Sequence, residues 1–153
     1  MTEAEKAIQE IDVYGFTILE CVLTGEQTSQ MRDALIRCEE EVGTEHKHRG
    51  EARHVSNLPT LDPVFWPTID HPRTLPVLEH FLGASLILGS LNARIVRPGD
   101  PDQGLHSDIP GDMLNMASPV MLNTVWMLDD FTQRIGATRV IPGTHRSGLV
   151  EPP

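Results

Sequence analysis

Residues 120–128 read Val-Met-Leu-Asn-Thr-Val-Trp-Met-Leu, an apolar run that is followed directly by two aspartates. A short apolar run that ends in turn residues is typical of a buried β-strand. Three further short segments, at 86–89, 92–97 and 138–141, are apolar or alternating and are separated by Gly, Pro and Asp. This spacing predicts an antiparallel β unit, a sandwich, barrel or jelly roll, within residues 84–153.

The first 83 residues are predicted to form a mainly helical layer in the same single domain. Thr2 and Glu5 have the spacing of a capping box, and so do Thr24 and Gln27, so each pair predicts the start of a helix. The second helix is expected to stop at Gly43. Its predicted buried stripe has helical spacing and consists of Met31, Leu35, Cys38 and Val42.

Two less regular segments follow the same helical layer. Residues 15–19 (Gly-Phe-Thr-Ile-Leu) are a strand candidate behind a turn glycine, and residues 44–60 are polar and predict a loop. This loop carries three histidines, which a second metal site could use. A solvated loop is favoured because no carboxylate or cysteine framework surrounds them. These histidines are His46, His48 and His54.

A further helix is expected to begin at Asp70 or His71 and to end at Gly83. Pro72 would be tolerated in its first turn, where a missing backbone N–H costs nothing. The predicted buried face of this helix consists of Leu75, Leu78 and Leu82.

The composition describes one acidic domain of 153 residues, in which 12 basic and 22 acidic residues give a net charge of −10. This balance argues against a nucleic-acid or anionic membrane partner. The acidic run at 39–41 is predicted to be a solvated helix face. Cys21 and Cys38 are too few for a disulfide scaffold, which favours a reducing, cytoplasmic setting. The sequence shows neither a signal peptide nor an apolar run of membrane-spanning length.

His106-Ser107-Asp108 is the candidate metal-binding motif. Side chains at i and i+2 of an extended segment project to the same face, so His106 and Asp108 could reach one divalent ion together. A second histidine would complete a 2-His-1-carboxylate triad, which leaves coordination positions open for a co-substrate and O₂. The motif is short enough to arise by chance, so its neighbours in the sequence decide its meaning.

Those neighbours occur in a characteristic order. Residues 95–100 read Ile-Val-Arg-Pro-Gly-Asp before the motif. Residues 123–131 (Asn-Thr-Val-Trp-Met-Leu-Asp-Asp-Phe) and 136–146 (Gly-Ala-Thr-Arg-Val-Ile-Pro-Gly-Thr-His-Arg) follow it. From about residue 10 to residue 148, this order resembles the phytanoyl-CoA dioxygenase family of Fe(II)- and 2-oxoglutarate-dependent oxygenases.

The resemblance implies an α+β fold in which N-terminal helices pack on a double-stranded β-helix, a cupin-like jelly roll. It implies a dioxygenase that hydroxylates a small organic molecule with Fe(II), 2-oxoglutarate and O₂. His106 and Asp108 correspond to two iron ligands of the family. The resemblance allows a homo-oligomer and implies no nucleic-acid or membrane partner.

Further residues take roles from the same resemblance. Gln103, Trp126 and Thr138 correspond to positions at the 2-oxoglutarate pocket, although Trp126 could equally be a core residue and Thr138 an ordinary strand residue. His145 corresponds to a histidine that supports the site or the structure rather than binding iron. Four arginines could pair with a substrate carboxylate, although a surface position is favoured for most of them: Arg94, Arg97, Arg139 and Arg146.

The chain departs from the family pattern at several places. Tyr14 and Ile135 replace an aspartate and an asparagine of the family motifs. The family's second iron-binding histidine and its 2-oxoglutarate-binding arginine are expected beyond Pro153, on later strands of the jelly roll. Three interpretations therefore stay open: a piece of a longer enzyme, a shortened relative that needs a partner chain, and an inactive remnant that serves as a binding or assembly module. A cupin-like metal hydrolase or isomerase would need more histidines on the strands.

Overall fold

The computed structural model describes residues 1–42, 53–109, 111–113, 116 and 118–148. Four α-helices and two β-strands lie in this part of the chain. In chain order they are α1 (Glu3–Tyr14), α2 (Gly25–Val42), β1 (Arg53–Val55), α3 (Leu58–Leu61), α4 (Leu75–Leu82) and β2 (Ala93–Ile95). Short 3₁₀ turns lie at Pro63–Thr68, Gly111–Met113, Gln133–Ile135 and Thr144–Arg146. No helix in these ranges is long and apolar enough to cross a membrane.

The two capping boxes start α1 and α2 as the sequence predicts. The Thr2 hydroxyl accepts a hydrogen bond from the Glu5 backbone N–H at 3.2 Å, and the Glu5 carboxylate accepts one from the Thr2 N–H at 2.7 Å. Thr24 and Gln27 exchange the same two bonds at 3.1 and 2.9 Å. Each box satisfies two backbone N–H groups that the first helical turn leaves without a partner. The predicted stop of α2 at Gly43 lies outside the described residues.

The buried face of α2 differs from the predicted stripe at its C-terminal end. Met31 and Cys38 are buried, with Ala34 beside them, but Val42 is 47% exposed, so its predicted burial is wrong. Glu39 is buried instead, which contradicts the prediction of a solvated face for the whole acidic run. The helix places position 39 on its inner side, where two arginines neutralise the carboxylate.

Glu39 is the centre of a charged network. Its carboxylate accepts hydrogen bonds from Arg97 at 2.7 Å and from Arg53 at 3.0 Å. These bonds, chiefly the one from Arg97, hold the pKa of Glu39 below its ordinary value against the opposing effect of burial. The network joins α2 to β1 and to the turn after β2, so it fixes the start of the segment that carries His106.

The sheet consists of β1 and β2, which pair antiparallel with Arg53 opposite Ile95 and Val55 opposite Ala93. β2 confirms the centre of the strand predicted at 92–97. β1 and α3 lie where a continuous loop was predicted at 44–60, so that prediction is wrong for residues 53–55 and 58–60. His54 belongs to β1, whereas His46 and His48 lie outside the described residues.

The other predicted strands do not form in the structure. Residues 15–19, 86–89, 120–128 and 138–141 carry no strand hydrogen bonding, because a strand requires a neighbouring backbone and these segments have none aligned with them. Apolar side chains along them stay exposed, as at Val125 (59%) and Val140 (58%). The α+β class holds, but a double-stranded β-helix is not formed by the described residues.

Helix α4 begins later than predicted. Residues 72–74 form a turn, Thr74 is the N-cap and Pro76 rather than Pro72 occupies the first helical turn. In the preceding turn, the N–H groups of Thr74 and Leu75 both donate to the His71 carbonyl at 2.9 Å. Gly83 ends the helix as predicted. Its most buried residue is Val77, which packs on Ala7 and Ile11 of α1, whereas the three predicted leucines are only half-buried.

A candidate metal centre beside an apolar cavity

A tight turn after β2 directs the chain toward the candidate motif. The Asp100 carboxylate accepts a hydrogen bond from the Arg97 N–H at 2.7 Å, and the Asp100 N–H donates to the Arg97 carbonyl at 3.0 Å. The glycine between them has a φ of +94°, which an L-residue adopts only with strain. Pro98-Gly99-Asp100-Pro101-Asp102 is a sequence typical of a turn, and the structure forms that turn over residues 97–100. The segment beyond it is irregular rather than a strand.

His106 and Asp108 nevertheless face each other. His106 Nε2 lies 3.2 Å from Asp108 Oδ1, and the side chains are 45% and 55% exposed. The prediction that positions i and i+2 share one side is therefore confirmed, although no strand imposes it. The exposure leaves the facing atoms accessible to a solvated ion.

The outer atoms of both side chains are held by other groups. The Gly104 carbonyl lies 2.8 Å from His106 Nδ1. A carbonyl can only accept, so Nδ1 carries a hydrogen and Nε2 is the ring atom left to face Asp108 and to bind a metal ion. The Asn123 side-chain amide donates to Asp108 Oδ2 at 2.6 Å, which leaves Oδ1 turned toward the imidazole.

This arrangement fits a divalent cation. An unprotonated nitrogen and a carboxylate oxygen at 3.2 Å repel each other unless a proton or a metal ion lies between them. Nitrogen and oxygen ligands bind at about 2.0–2.2 Å, so two adjacent ligands of one ion lie about 3 Å apart. Supporting hydrogen bonds to the far atoms of both ligands are typical of metal sites.

A third protein ligand is not found in the part of the chain that the structure describes, where no group of three His, Cys, Asp or Glu side chains could hold an ion. His145 packs elsewhere: a Cβ at Gly15 would come within 2.6 Å of its Nδ1. The Gly143 N–H donates to the Tyr14 carbonyl at 2.8 Å, and Arg146 pairs with Asp12 at 2.6 Å. The turn that carries His145 is thus attached to the end of α1.

A cavity of about 560 Å³ is lined in part by Asn123, whose amide donates to Asp108. Asn123 thus belongs both to the lining and to the surroundings of the His106–Asp108 pair, whereas His106 and Asp108 themselves do not line the cavity. The cavity lies between α1, the loop after it, α4 and residues 122–127. Its size is within the usual range of small-molecule sites.

The three residues with predicted co-substrate roles lie in different environments. Trp126 lines the cavity and packs edge-on against His71, with ring centroids 5.6 Å apart. Its indole N–H is buried and has no hydrogen-bond acceptor among the described residues, which a core residue would normally have. Gln103 and Thr138 are exposed and do not belong to the lining. Their segments are joined by Arg139, which pairs with Asp102 at 3.3 Å.

Three of the four arginines considered for substrate binding pair with carboxylates of the protein. Arg97, Arg139 and Arg146 pair with Glu39, Asp102 and Asp12 respectively. These contacts order the loops that frame the candidate site, so their observed role is structural.

Asn123 was missed at the sequence level. The sequence feature that could have identified it is a polar amide inside the apolar run at 120–128. An amide side chain has two donor hydrogens and an acceptor oxygen, so it needs hydrogen-bond partners there. The partner is fifteen residues away in the sequence, so no local pattern could name it.

Comparison with known protein families settles the ancestry of the chain. The profile described as Phytanoyl-CoA dioxygenase (PhyH) matches residues 11–152. The chain belongs to this family. Membership accounts for the order of motifs around the His106–Asp108 pair and agrees with a cupin-like architecture, of which the described residues form the helical layer and a two-stranded sheet.

Individual relatives are distant. The chain is 26% identical over 157 residues to proteins named Uncharacterized protein Rv1501 in Mycobacterium tuberculosis and Uncharacterized protein Mb1539 in Mycobacterium bovis. Both alignments cover 95% of this chain, which spans 57% of the length of either relative. The Fe(II)/2-oxoglutarate-dependent dioxygenase nvfF of Aspergillus novofumigatus is 41% identical over 56 residues, covering 34% of this chain and 19% of the relative. No solved structure matches the chain significantly.

Proposed function

We propose that the protein is an Fe(II)- and 2-oxoglutarate-dependent dioxygenase that hydroxylates a small organic molecule, with His106 and Asp108 as two of its iron ligands. The observation that carries this proposal is the 3.2 Å approach of His106 Nε2 to Asp108 Oδ1, with the far atom of each side chain already hydrogen-bonded. Family membership and the printed name of the Aspergillus novofumigatus relative support the choice of iron and 2-oxoglutarate.

The bound iron would supply the oxidative chemistry, using 2-oxoglutarate and O₂ to hydroxylate a C–H bond. The chain's own residues would orient the ligands. The Gly104 carbonyl holds the hydrogen at His106 Nδ1, so Nε2 remains free to bind the metal. Asn123 holds Asp108 Oδ2, so the carboxylate presents one oxygen rather than rotating freely.

The co-substrate positions remain part of this proposal. Trp126 is proposed from its motif position, and its buried indole N–H has no acceptor among the described residues. Gln103 and Thr138 are proposed from their motif positions, at the segments that Arg139 and Asp102 join. Two free cysteines agree with the proposed cytoplasmic location.

Turnover tests the proposal directly. The full-length protein, supplied with Fe(II), ascorbate and 2-oxoglutarate, is expected to release succinate, and His106→Ala is expected to reduce that release at least about 100-fold because a directly bound ligand is lost. His80→Ala is the matched control, since His80 is an exposed histidine on α4 whose ring contacts Phe81. Equal succinate release by the His106→Ala and wild-type proteins would refute the proposal.

The alternative is a binding module without turnover. It is favoured by one observation: within the described ranges, the His106–Asp108 pair has no third protein ligand. The same assay separates the two functions. Stoichiometric Fe(II) binding by the full-length protein without 2-oxoglutarate consumption would support the binding module.

A further inference from the structure

We infer that the 560 Å³ cavity binds the primary substrate and that this substrate is an uncharged, mainly apolar molecule. The role of the bound molecule as substrate rests on the proposed function, whereas its chemistry follows from the cavity lining alone.

Apolar atoms contribute more of the lining than polar atoms do. Most lining residues come from the loop after α1, helix α4 and the run at 122–127, and α1 and α2 add Ile11 and Thr28. The uncharged polar residues of the lining include Thr17, Thr28, Thr74, Asn123 and Thr124. Binding of an apolar ligand is favourable at such apolar surface, because the ligand displaces water from it. The principal apolar lining residues are Leu19, Val22, Leu23, Val77, Leu78 and Leu122.

The charge of the lining excludes an anionic ligand. Among the described residues that line the cavity, none is Lys, Arg or His, and the one charged residue is Glu20. An anion would lose hydration without gaining a cationic partner and would be repelled by this carboxylate. Arg73 donates to the backbone carbonyls of Glu20 and Cys21, but its charge is paired by both carboxylate oxygens of Glu3.

The substrate and the co-substrate therefore require different binding sites. 2-Oxoglutarate carries two carboxylates, and a carboxylate is bound well by a bidentate arginine, which this cavity does not provide. A thioester of coenzyme A carries several phosphate charges, and the cavity lining offers no cationic side chain to pair with them. Asn123, which contacts both the cavity and Asp108, places the cavity beside the candidate metal centre. The cavity and the candidate metal centre therefore share this residue.

Two probes with one aromatic skeleton test the inference without metal. N-phenyl-1-naphthylamine is uncharged, and 8-anilinonaphthalene-1-sulfonate adds one sulfonate to the same rings. Trp66→Phe leaves Trp126 as the single tryptophan, so quenching of its fluorescence reports occupancy of the cavity. The uncharged probe is expected to bind with 1:1 stoichiometry and at least about 10-fold more tightly than the sulfonate.

A cationic side chain introduced into the lining tests whether the charge of the cavity determines the preference for the uncharged probe. Thr124 is exposed and lines the cavity, so Thr124→Arg is expected to preserve the fold and to reduce the preference for the uncharged probe at least about 10-fold. Ser90→Arg is the matched control, because Ser90 is also exposed but lies outside the lining. Tighter binding of the sulfonate by the parent protein, no saturable binding, or identical behaviour of the two arginine variants would overturn the inference.

The outcome is independent of turnover. Saturable binding of the uncharged probe by a protein that never consumes 2-oxoglutarate would refute the dioxygenase proposal and leave the ligand chemistry of the cavity intact. Turnover in a protein whose cavity does not bind the uncharged probe would refute the inference about the cavity and leave the dioxygenase proposal intact.

Discussion

Asp108→Ala is expected to lower the affinity of the protein for Mn(II) by about 100-fold or more, which corresponds to about 2.7 kcal/mol. Mn(II) is a suitable stand-in for Fe(II) because it accepts carboxylate and imidazole ligands and does not oxidise readily in air. The substitution removes the anionic member of the pair and leaves the His106 imidazole alone to bind the ion. Isothermal titration of the metal-free protein measures the affinity.

His145→Ala is the control for this measurement. His145 packs on Gly15 at the end of α1, so its removal is expected to leave the Mn(II) affinity within about twofold of the parent value, an energetic change below about 0.5 kcal/mol. If His145→Ala lost as much Mn(II) affinity as Asp108→Ala, the ion would bind at the turn after residue 142. Unchanged affinity in Asp108→Ala would remove Asp108 from the site.

Asn123→Ala is expected to weaken Mn(II) binding by about 10- to 100-fold, the usual effect of removing a hydrogen-bond partner of a metal ligand. Without the bond from the Asn123 amide, which spans 2.6 Å, Asp108 can rotate and loses the orientation of Oδ1 toward His106. The same isothermal titration provides the readout.

A structural role for Asn123 would give a different result. The bond lies at an exposed position, so the free energy of unfolding should change by less than about 0.5 kcal/mol. Asn123→Gln keeps an amide donor and should recover part of the affinity. Destabilisation without loss of Mn(II) affinity would show that the asparagine supports the fold and not the metal ligand.

The helix starts could be predicted because their determinants are local. Thr2 with Glu5, and Thr24 with Gln27, satisfy each other's backbone groups within four residues, so the sequence contains the whole interaction. The start of α4 could not be placed so well, because two prolines lie within five residues and each could occupy a first helical turn.

The strands and Glu39 depended on contacts between distant residues. Strand β1 formed in a segment without alternation because its partner β2 begins 38 residues after the last residue of β1. Glu39 looked like one member of an acidic run, and its burial follows from Arg53 and Arg97, which approach from the sheet. Apolar runs such as 120–128 resembled strands, yet an apolar sequence does not by itself supply a pairing partner.

Only part of the candidate site could be predicted from the sequence. The His106–Asp108 pair is separated by one residue, so its convergence could be predicted from spacing. Asn123, the Gly104 carbonyl and the cavity lining come from separate segments that folding brings together. The proposed metal ligands could therefore be named in advance, whereas the groups that would orient them and the chemistry of the cavity required the structure.

The central claim is that His106 and Asp108 hold one metal ion between them, and paramagnetic broadening of the histidine ¹⁵N imidazole signals tests it most directly. Mn(II) added below one equivalent should broaden the His106 Nε2 signal first among the seven histidines, and Asp108→Ala should abolish that selectivity. Selective broadening of another histidine, or uniform broadening of all of them, would contradict the account.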